Sequence, residues 1–174
     1  PFGGRGLSGT GPKAGGPLYL GRLVKDADPS SAILRDEQGA PMLGHMTGLP
    51  GPVGERNLYA VKPRGRVLLL PATREGLHAQ IKAVEASGNS AALPDDAKTR
   101  ALYQELFEAP VGDIEWVVDW QSKLPFAHVL IEDAGQDISP TLAAIAAKDG
   151  SIPIVQLGGE PDLNPDTLTA RSHA

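Results

Sequence analysis

The stretch Arg66–Leu70 (RVLLL) places four apolar side chains in a row, and this run limits the possible folds more than any other part of the sequence. A continuous apolar run of this length is typical of a strand that is buried on both faces, as the strands of parallel sheets are. Further short runs that fit strands lie at 58–61, 90–93, 115–118, 127–131 and 152–155. The last of them contains Pro153, which predicts a strand at the edge of a sheet.

Helix start and stop signals bracket three of the gaps between these runs. They are Thr73 and Gly88 for the first helix, Pro94 to Asp96 for the second, and Ser139-Pro140 with Asp149-Gly150 for the third. Ser, Thr and Asp favour the N-cap, proline the first helical position, and glycine the position just past the end. Strands that alternate with helices predict an α/β fold, a Rossmann-like parallel sheet flanked by helices and preceded by a Gly/Pro-rich extended segment.

Composition divides the chain into four parts. Residues 1–23 are a glycine-dense loop with a short apolar end, and residues 24–56 are a polar, turn-rich connector. Residues 57–158 carry the Rossmann-like domain, and residues 159–174 are polar enough to predict a loose tail. The 174 residues suffice for one domain with a substantial core.

Two phosphate-binding patterns occur in the first loop, and both fail on their context. Gly4 to Gly9 matches the dinucleotide fingerprint G-x-G-x-x-G, but that fingerprint needs a strand before it and a helix after it. Pro12 and Pro17 argue against such a helix. Gly6 to Lys13 approximates a P-loop, but Pro12 interrupts the Gly-Lys step and Ala14 replaces the hydroxyl that would bind magnesium.

Composition also excludes several classes of function. The chain has no cysteine, which excludes thiol catalysis and thiolate metal sites. Its net charge of −5 argues against general binding to nucleic acid or to an anionic membrane. No apolar run approaches the roughly 20 residues that a membrane span requires. The four histidines are not at metal-ligand spacing.

The predicted domain offers few candidate site residues of its own. The turn Leu70–Gly76, where a dinucleotide domain carries its glycines, has no G-x-G, and Glu75 would repel a phosphate. Asp95-Asp96 could be a metal pair or a phosphoacceptor, but placement at a helix N-terminus explains both acids more simply. Glu132-Asp133 follows a strand at the edge where open sheets bind ligands, yet a solvated strand end is the simpler interpretation. Trp116 and Trp120 are expected to pack in the core.

Two motifs, Ser8–Leu20 (SGTGPKAGGPLYL) and Leu49–Asn57 (LPGPVGERN), resemble segments of the proline utilization A (PutA) family of fused proline dehydrogenases and L-glutamate-γ-semialdehyde (pyrroline-5-carboxylate) dehydrogenases. The first is similar to the closing loop of the family's aldehyde dehydrogenase domain. The second is similar to the segment that opens its C-terminal domain. The similarity extends to about Leu157. It implies that residues 1–23 end a catalytic domain and that residues 57–158 form a non-catalytic, Rossmann-like C-terminal domain.

The resemblance also implies the function of these parts. Backbone N–H groups of Gly15 and Gly16 would anchor the carboxylate of the semialdehyde, and glycine suits that role because no side chain blocks the approach of an anion. Phe2 would line the aldehyde pocket, and Ser8 would add a hydroxyl or stabilise the turn. The parent enzyme would use FAD and NAD, with neither bound by this chain. Because the aldehyde dehydrogenase nucleophile is a cysteine, this chain alone is expected to be inactive.

The same resemblance implies the partners and the location. The remaining dehydrogenase domains of the parent would be the main partner, in a homo-oligomer, and the C-terminal domain would enclose a tunnel between active sites or support assembly. The parent would be cytoplasmic, with peripheral attachment to the inner membrane as a further option. Two alternatives stay open: a free-standing α/β module that binds a nucleotide or a protein, and a purely structural oligomerisation domain.

Overall fold

A computed structural model describes residues 43–44, 46–49, 53–54, 56–109, 114–121, 125–150, 153–157 and 169–173, which all belong to one compact unit, Leu43–Ala174. The described residues form eight strands and three helices. The strands are β1 (Met46–Leu49), β2 (Asn57–Pro63), β3 (Arg66–Leu70), β4 (Ser90–Pro94), β5 (Ile114–Val117), β6 (His128–Ile131), β7 (Ile154–Leu157) and β8 (Thr169–His173). The helices are α1 (Arg74–Ala86), α2 (Ala97–Leu106) and α3 (Ser139–Ala146).

Five of the strands form the parallel sheet that the apolar runs predict. Their order is β5-β4-β3-β6-β7, and each neighbouring pair is parallel. Within this sheet the chain first forms the central strand β3 and then β4 and β5 on one side of it. It crosses back to form β6 and β7 on the other side of β3. This is the doubly wound order 3-2-1-4-5 of a Rossmann fold, and it confirms the predicted fold class. β7 lies at an edge, as Pro153 predicts.

Local capping explains where α1 begins and ends. Thr73 is the N-cap, and its hydroxyl accepts a hydrogen bond from the backbone N–H of Gly76 at 3.0 Å. At the other end, Gly88 has a φ of +66°, a left-handed conformation that glycine adopts without strain. The N–H of Asn89 donates to the carbonyl of Val84 and that of Gly88 to Glu85, which completes a Schellman motif. Both ends match the sequence prediction.

The sheet separates two apolar clusters, one on each face. Val67 and Leu69 of β3 pack with Leu77, Ile81 and Val84 of α1 on one face. Leu68 packs on the opposite face with Val129, Ile131 and Ile145, the last of them from α3. Side chains of successive strand residues point to opposite faces, so the run Arg66–Leu70 contributes to both clusters. This is expected of a strand that is buried on both faces. Trp116 and Trp120 pack at the margins of the two clusters, on opposite faces, in agreement with their expected core role.

The remaining three strands form a separate antiparallel sheet with the order β1-β2-β8. The predicted strand at 58–61 therefore exists, but it lies outside the parallel sheet, which begins at Arg66. The prediction of a loose tail is wrong for Thr169–His173, because this segment pairs with Tyr59–Pro63 of β2. The residues of this segment give little indication of a strand, since a polar segment becomes one only when a neighbouring edge offers hydrogen bonds.

Candidate functional site at the carboxyl edge of the sheet

The strand order determines where a ligand would bind in a fold of this class. In open α/β sheets the ligand lies outside the carboxyl ends of the strands, at the point where the winding reverses. Here that point lies between β3, which ends at Leu70, and β6, which ends at Ile131. The N-terminus of α1 also lies there, because only Pro71, Ala72 and Thr73 separate β3 from α1.

A carboxylate of the protein itself occupies this position. One oxygen of Glu132, Oε2, accepts hydrogen bonds from the backbone N–H groups of Ala72 at 2.6 Å and Thr73 at 2.8 Å. The other oxygen, Oε1, accepts a hydrogen bond from the Thr73 hydroxyl at 2.6 Å. The side chain is half-buried. A negative charge is favourable here, since the N-terminus of a helix carries a partial positive charge and unpaired N–H donors.

Gly76 makes this contact sterically possible. A β-carbon at position 76 would lie 1.9 Å from Oε2 and 2.1 Å from Cδ of Glu132, far inside van der Waals contact. Gly76 is buried in the first turn of α1, where alanine would otherwise be the better helix former. The glycine and the glutamate therefore form a matched pair. Sequence reasoning misses this pair and predicts a solvated strand end; that prediction is wrong for Glu132, while Asp133 is exposed as expected.

The acids near the N-terminus of α2 have structural partners. Asp96 is the N-cap, and its carboxylate accepts from the N–H of Thr99 at 2.8 Å, as predicted. Asp95 forms an ion pair with Arg100, with 2.6 Å between Oδ1 and Nε. The hydrogen bond from Arg100 lowers the pKa of Asp95 below its usual value. Arg100 in turn lies 4.0 Å above the ring centre of Trp116.

Glu75 also lies at the N-terminus of α1, but its contacts do not favour a ligand role. Its side chain is 61% exposed and pairs with Arg74 at 3.2 Å. A hydrogen bond from the backbone, followed by one from Arg74, lowers the pKa of Glu75. Within the described ranges no three histidine, aspartate or glutamate side chains are grouped closely enough to hold a metal ion. The described helices include none that is both long and apolar enough to cross a membrane.

The predicted substrate-binding residues lie outside the described part of the chain. They are Phe2, Ser8, Gly15 and Gly16. Their roles, and the division at residues 23 and 56, stay predictions. The described residues define the class of the protein: a Rossmann-like α/β domain whose switch point is filled by its own carboxylate.

Comparison with known proteins gives the family. The chain is 41% identical over 195 residues to the bifunctional protein PutA of Rhizobium meliloti, a match that covers 95% of the chain and 16% of that protein. It is 34% identical to PutA of Escherichia coli K12 and 32% identical to PutA of Salmonella typhimurium LT2, each over 197 residues, with 90% of the chain and 15% of the relative covered. The chain belongs to the PutA family and spans about one sixth of the length of these curated relatives.

Solved structures resemble the chain more distantly, and no family model matches it. The substrate-bound state of Staphylococcus aureus AldH is 16% identical, with a TM-score of 0.49, and the match covers 64% of this chain and 28% of that one. A NAD-dependent benzaldehyde dehydrogenase from Corynebacterium glutamicum is 14% identical, with a TM-score of 0.45, 65% of this chain and 28% of that one being covered.

Proposed function

We propose that the chain is a segment of a bifunctional enzyme that oxidises proline to glutamate. The parent would oxidise proline with FAD and then oxidise glutamate semialdehyde, which is in equilibrium with pyrroline-5-carboxylate, with NAD. The observation that carries this proposal is the 41% identity to a PutA protein over nearly the whole chain. The motifs Ser8–Leu20 and Leu49–Asn57 support it from the sequence.

Within that parent, the two ends of the chain have different roles. The loop around Gly15 and Gly16 anchors the carboxylate of the semialdehyde through backbone N–H groups, with Phe2 against the aldehyde and Ser8 supporting the loop. The α/β domain is structural, since it packs on the dehydrogenase, supports assembly and encloses the path between the two active sites. The internal contact of Glu132 supports a structural role, because it uses the donors that a cofactor phosphate would need.

The division of roles is tested with the purified 174-residue chain. We expect no formation of NADH from pyrroline-5-carboxylate, because the chain has no cysteine to attack the aldehyde. NADH formation that scales with the concentration of the chain would contradict the proposal.

The anchoring loop is tested in the full-length parent. Gly16→Ala is expected to raise KM for the semialdehyde about tenfold or more with a smaller effect on kcat, because a side chain would separate the N–H donors from the substrate carboxylate. Gly11→Ala, in the same loop but outside the anchoring pair, is the matched control. Equal effects of the two substitutions would argue against a specific anchor.

A free-standing nucleotide-binding module is the second candidate, favoured by the strand order β5-β4-β3-β6-β7. Calorimetry with NAD and ATP separates the two proposals, because only a free-standing module should bind either compound by itself. Saturable heat with the purified chain would favour the module.

A further inference from the structure

The α1 N-terminus and its neighbourhood carry the donors that a nucleotide phosphate would use. In a doubly wound fold the phosphate of a cofactor sits at the N-terminus of the helix that follows the first parallel strand. The first parallel strand here is β3 and the helix is α1. The two successive N–H groups of Ala72 and Thr73, together with the Thr73 hydroxyl, would suit an anion with several oxygens.

Glu132 takes all three of these donors. Each of its contacts with Ala72 and Thr73 is between 2.6 and 2.8 Å long, which is the range of charge-assisted hydrogen bonds. Glu132 reaches them from a different part of the chain, 59 residues beyond Thr73, and so ties the end of β6 to the start of α1. The space for its carboxylate exists only because residue 76 lacks a β-carbon.

The position that binds the cofactor ribose in such domains is also occupied by contacts within the protein. In dinucleotide-binding domains an acid about 20 residues after the glycine turn, at the end of the second parallel strand, binds the ribose. The second parallel strand here is β4, and Asp95 follows it directly. Its carboxylate pairs with Arg100, which is also stacked on Trp116. The ion pair does not involve Glu132, and it likewise engages a side chain that a bound dinucleotide would need.

We propose that Glu132 is a built-in substitute for a cofactor phosphate, so that the domain retains the dinucleotide-binding topology while its own side chain closes the phosphate position. This inference concerns the crevice of the domain and goes beyond the proposed function of the parent. It predicts that the crevice accepts an external anion only when the glutamate is removed.

The test is thermal unfolding of the 174-residue chain in sodium phosphate and in sodium chloride of equal ionic strength. Glu132→Ala is expected to lower Tm in chloride by roughly 4–8 °C, as loss of a charge-assisted contact does in a chain of this size. Phosphate should restore part of that loss in Glu132→Ala. Phosphate also stabilises folded proteins in general. The wild type and the matched control Asp133→Ala, which removes an exposed carboxylate from the next position, should therefore show only that smaller, common rise in Tm relative to chloride.

Three results would overturn the proposal. The first is a Tm for Glu132→Ala equal to that of the wild type. The second is an equal effect of phosphate on all three proteins, which would mark it as non-specific. The third is saturable calorimetric binding of ADP or NAD by the wild-type domain. The first two results leave the proposed function untouched, so the proposal can fail while that function stands. The third result would also favour the free-standing module over the proposed function.

A second variant covers the case in which Glu132→Ala does not fold. Glu132→Asp keeps the charge but shortens the side chain by one methylene, so that its carboxylate cannot hold both backbone N–H groups. We expect a smaller loss of Tm than for alanine and a correspondingly smaller response to phosphate. An unchanged Tm for Glu132→Asp would count against the proposal. It would mean that stability does not depend on a side chain long enough to bring the carboxylate to both backbone N–H groups.

Discussion

Gly76→Ala should reverse the sign of its effect on stability when Glu132 is also replaced. In the wild type the new methyl group would overlap the Glu132 carboxylate, with 1.9 Å to Oε2 and 2.6 Å to Oε1, so the side chain must leave the N-terminus of α1. The hydrogen bonds to Ala72 and Thr73 would then be lost. Hydrogen bonds to charged groups contribute about 1.5–3 kcal/mol each, and they are not additive, so we expect a loss of about 2–4 kcal/mol.

One gain opposes this loss. Alanine is a better helix former than glycine by about 1 kcal/mol. The net destabilisation by Gly76→Ala in the wild type is therefore about 1–3 kcal/mol. In a Glu132→Ala background the overlap does not exist, and the same substitution should stabilise the chain by up to about 1 kcal/mol.

The assay is urea denaturation of the four chains of this double-mutant cycle, followed by circular dichroism. The cycle should give a coupling of about 2–4 kcal/mol between positions 76 and 132. A parallel cycle with Asp133→Ala is the control and should be additive, since Asp133 is exposed and, among the described residues, accepts only from the nearby Gly135 N–H. If Gly76→Ala costs the same in both Glu132 backgrounds, the steric reasoning is refuted.

Three further outcomes are expected from single substitutions. Thr73→Ala removes both the N-cap and a donor to Glu132 and should cost about 1–3 kcal/mol in urea denaturation. Gln80→Leu should stabilise the chain by about 1–2 kcal/mol in the same assay, because Gln80 is fully buried and its amide has no hydrogen-bond partner in the described part of the chain. Asp137→Asn should flatten the dependence of Tm on pH in acid. The hydroxyl and then the N–H of Ser139 lower the pKa of Asp137, so its stabilisation is present above the ordinary aspartate pKa and is lost as pH falls through the lowered value.

Each of these expectations has its own control. Thr73→Ser keeps the hydroxyl and should retain most of the stability. Gln104→Leu places leucine at an exposed site of α2 and should not stabilise the chain. Asp133→Asn is the matched control for Asp137→Asn, because it removes a nearby exposed charge that accepts from Gly135 and not from Ser139. If Gln104→Leu stabilised the chain, burial of the Gln80 amide would not explain the effect of Gln80→Leu. If Thr73→Ser cost as much as Thr73→Ala, the Thr73 hydroxyl would not be the stabilising group.

The sequence predicts the parts of the fold that depend on short-range signals. Thr73 and Gly88 mark the ends of α1 because a cap hydroxyl and a left-handed glycine act within one helical turn. The bounds of the third helix are predicted less accurately. The sequence favours Ser139 as the N-cap, but Ile138 takes that position without a side-chain bond, and the helix ends at Ala146, before Asp149-Gly150.

The candidate site could not be predicted because its parts are far apart in sequence. A glycine inside a helix and an acid after a strand are each unremarkable alone, and the sequence does not show that Gly76 and Glu132 meet. The one available signal is a glycine at the third position of an otherwise well-formed helix, where only a close approach would favour it. The substrate-anchoring role of Gly15 and Gly16 stays a prediction, since those residues lie outside the described part of the chain.

The pairing of β2 with β8 has a consequence for synthesis. β2 leaves the ribosome before the parallel domain, whereas its partner Thr169–His173 follows that domain. During translation one side of β2 therefore has free backbone N–H and C=O groups until β8 has been made. Open strand edges are templates for association between chains. A nascent chain that stalls or is cleaved before residue 169 is thus expected to aggregate through β2, even when its parallel sheet has already folded.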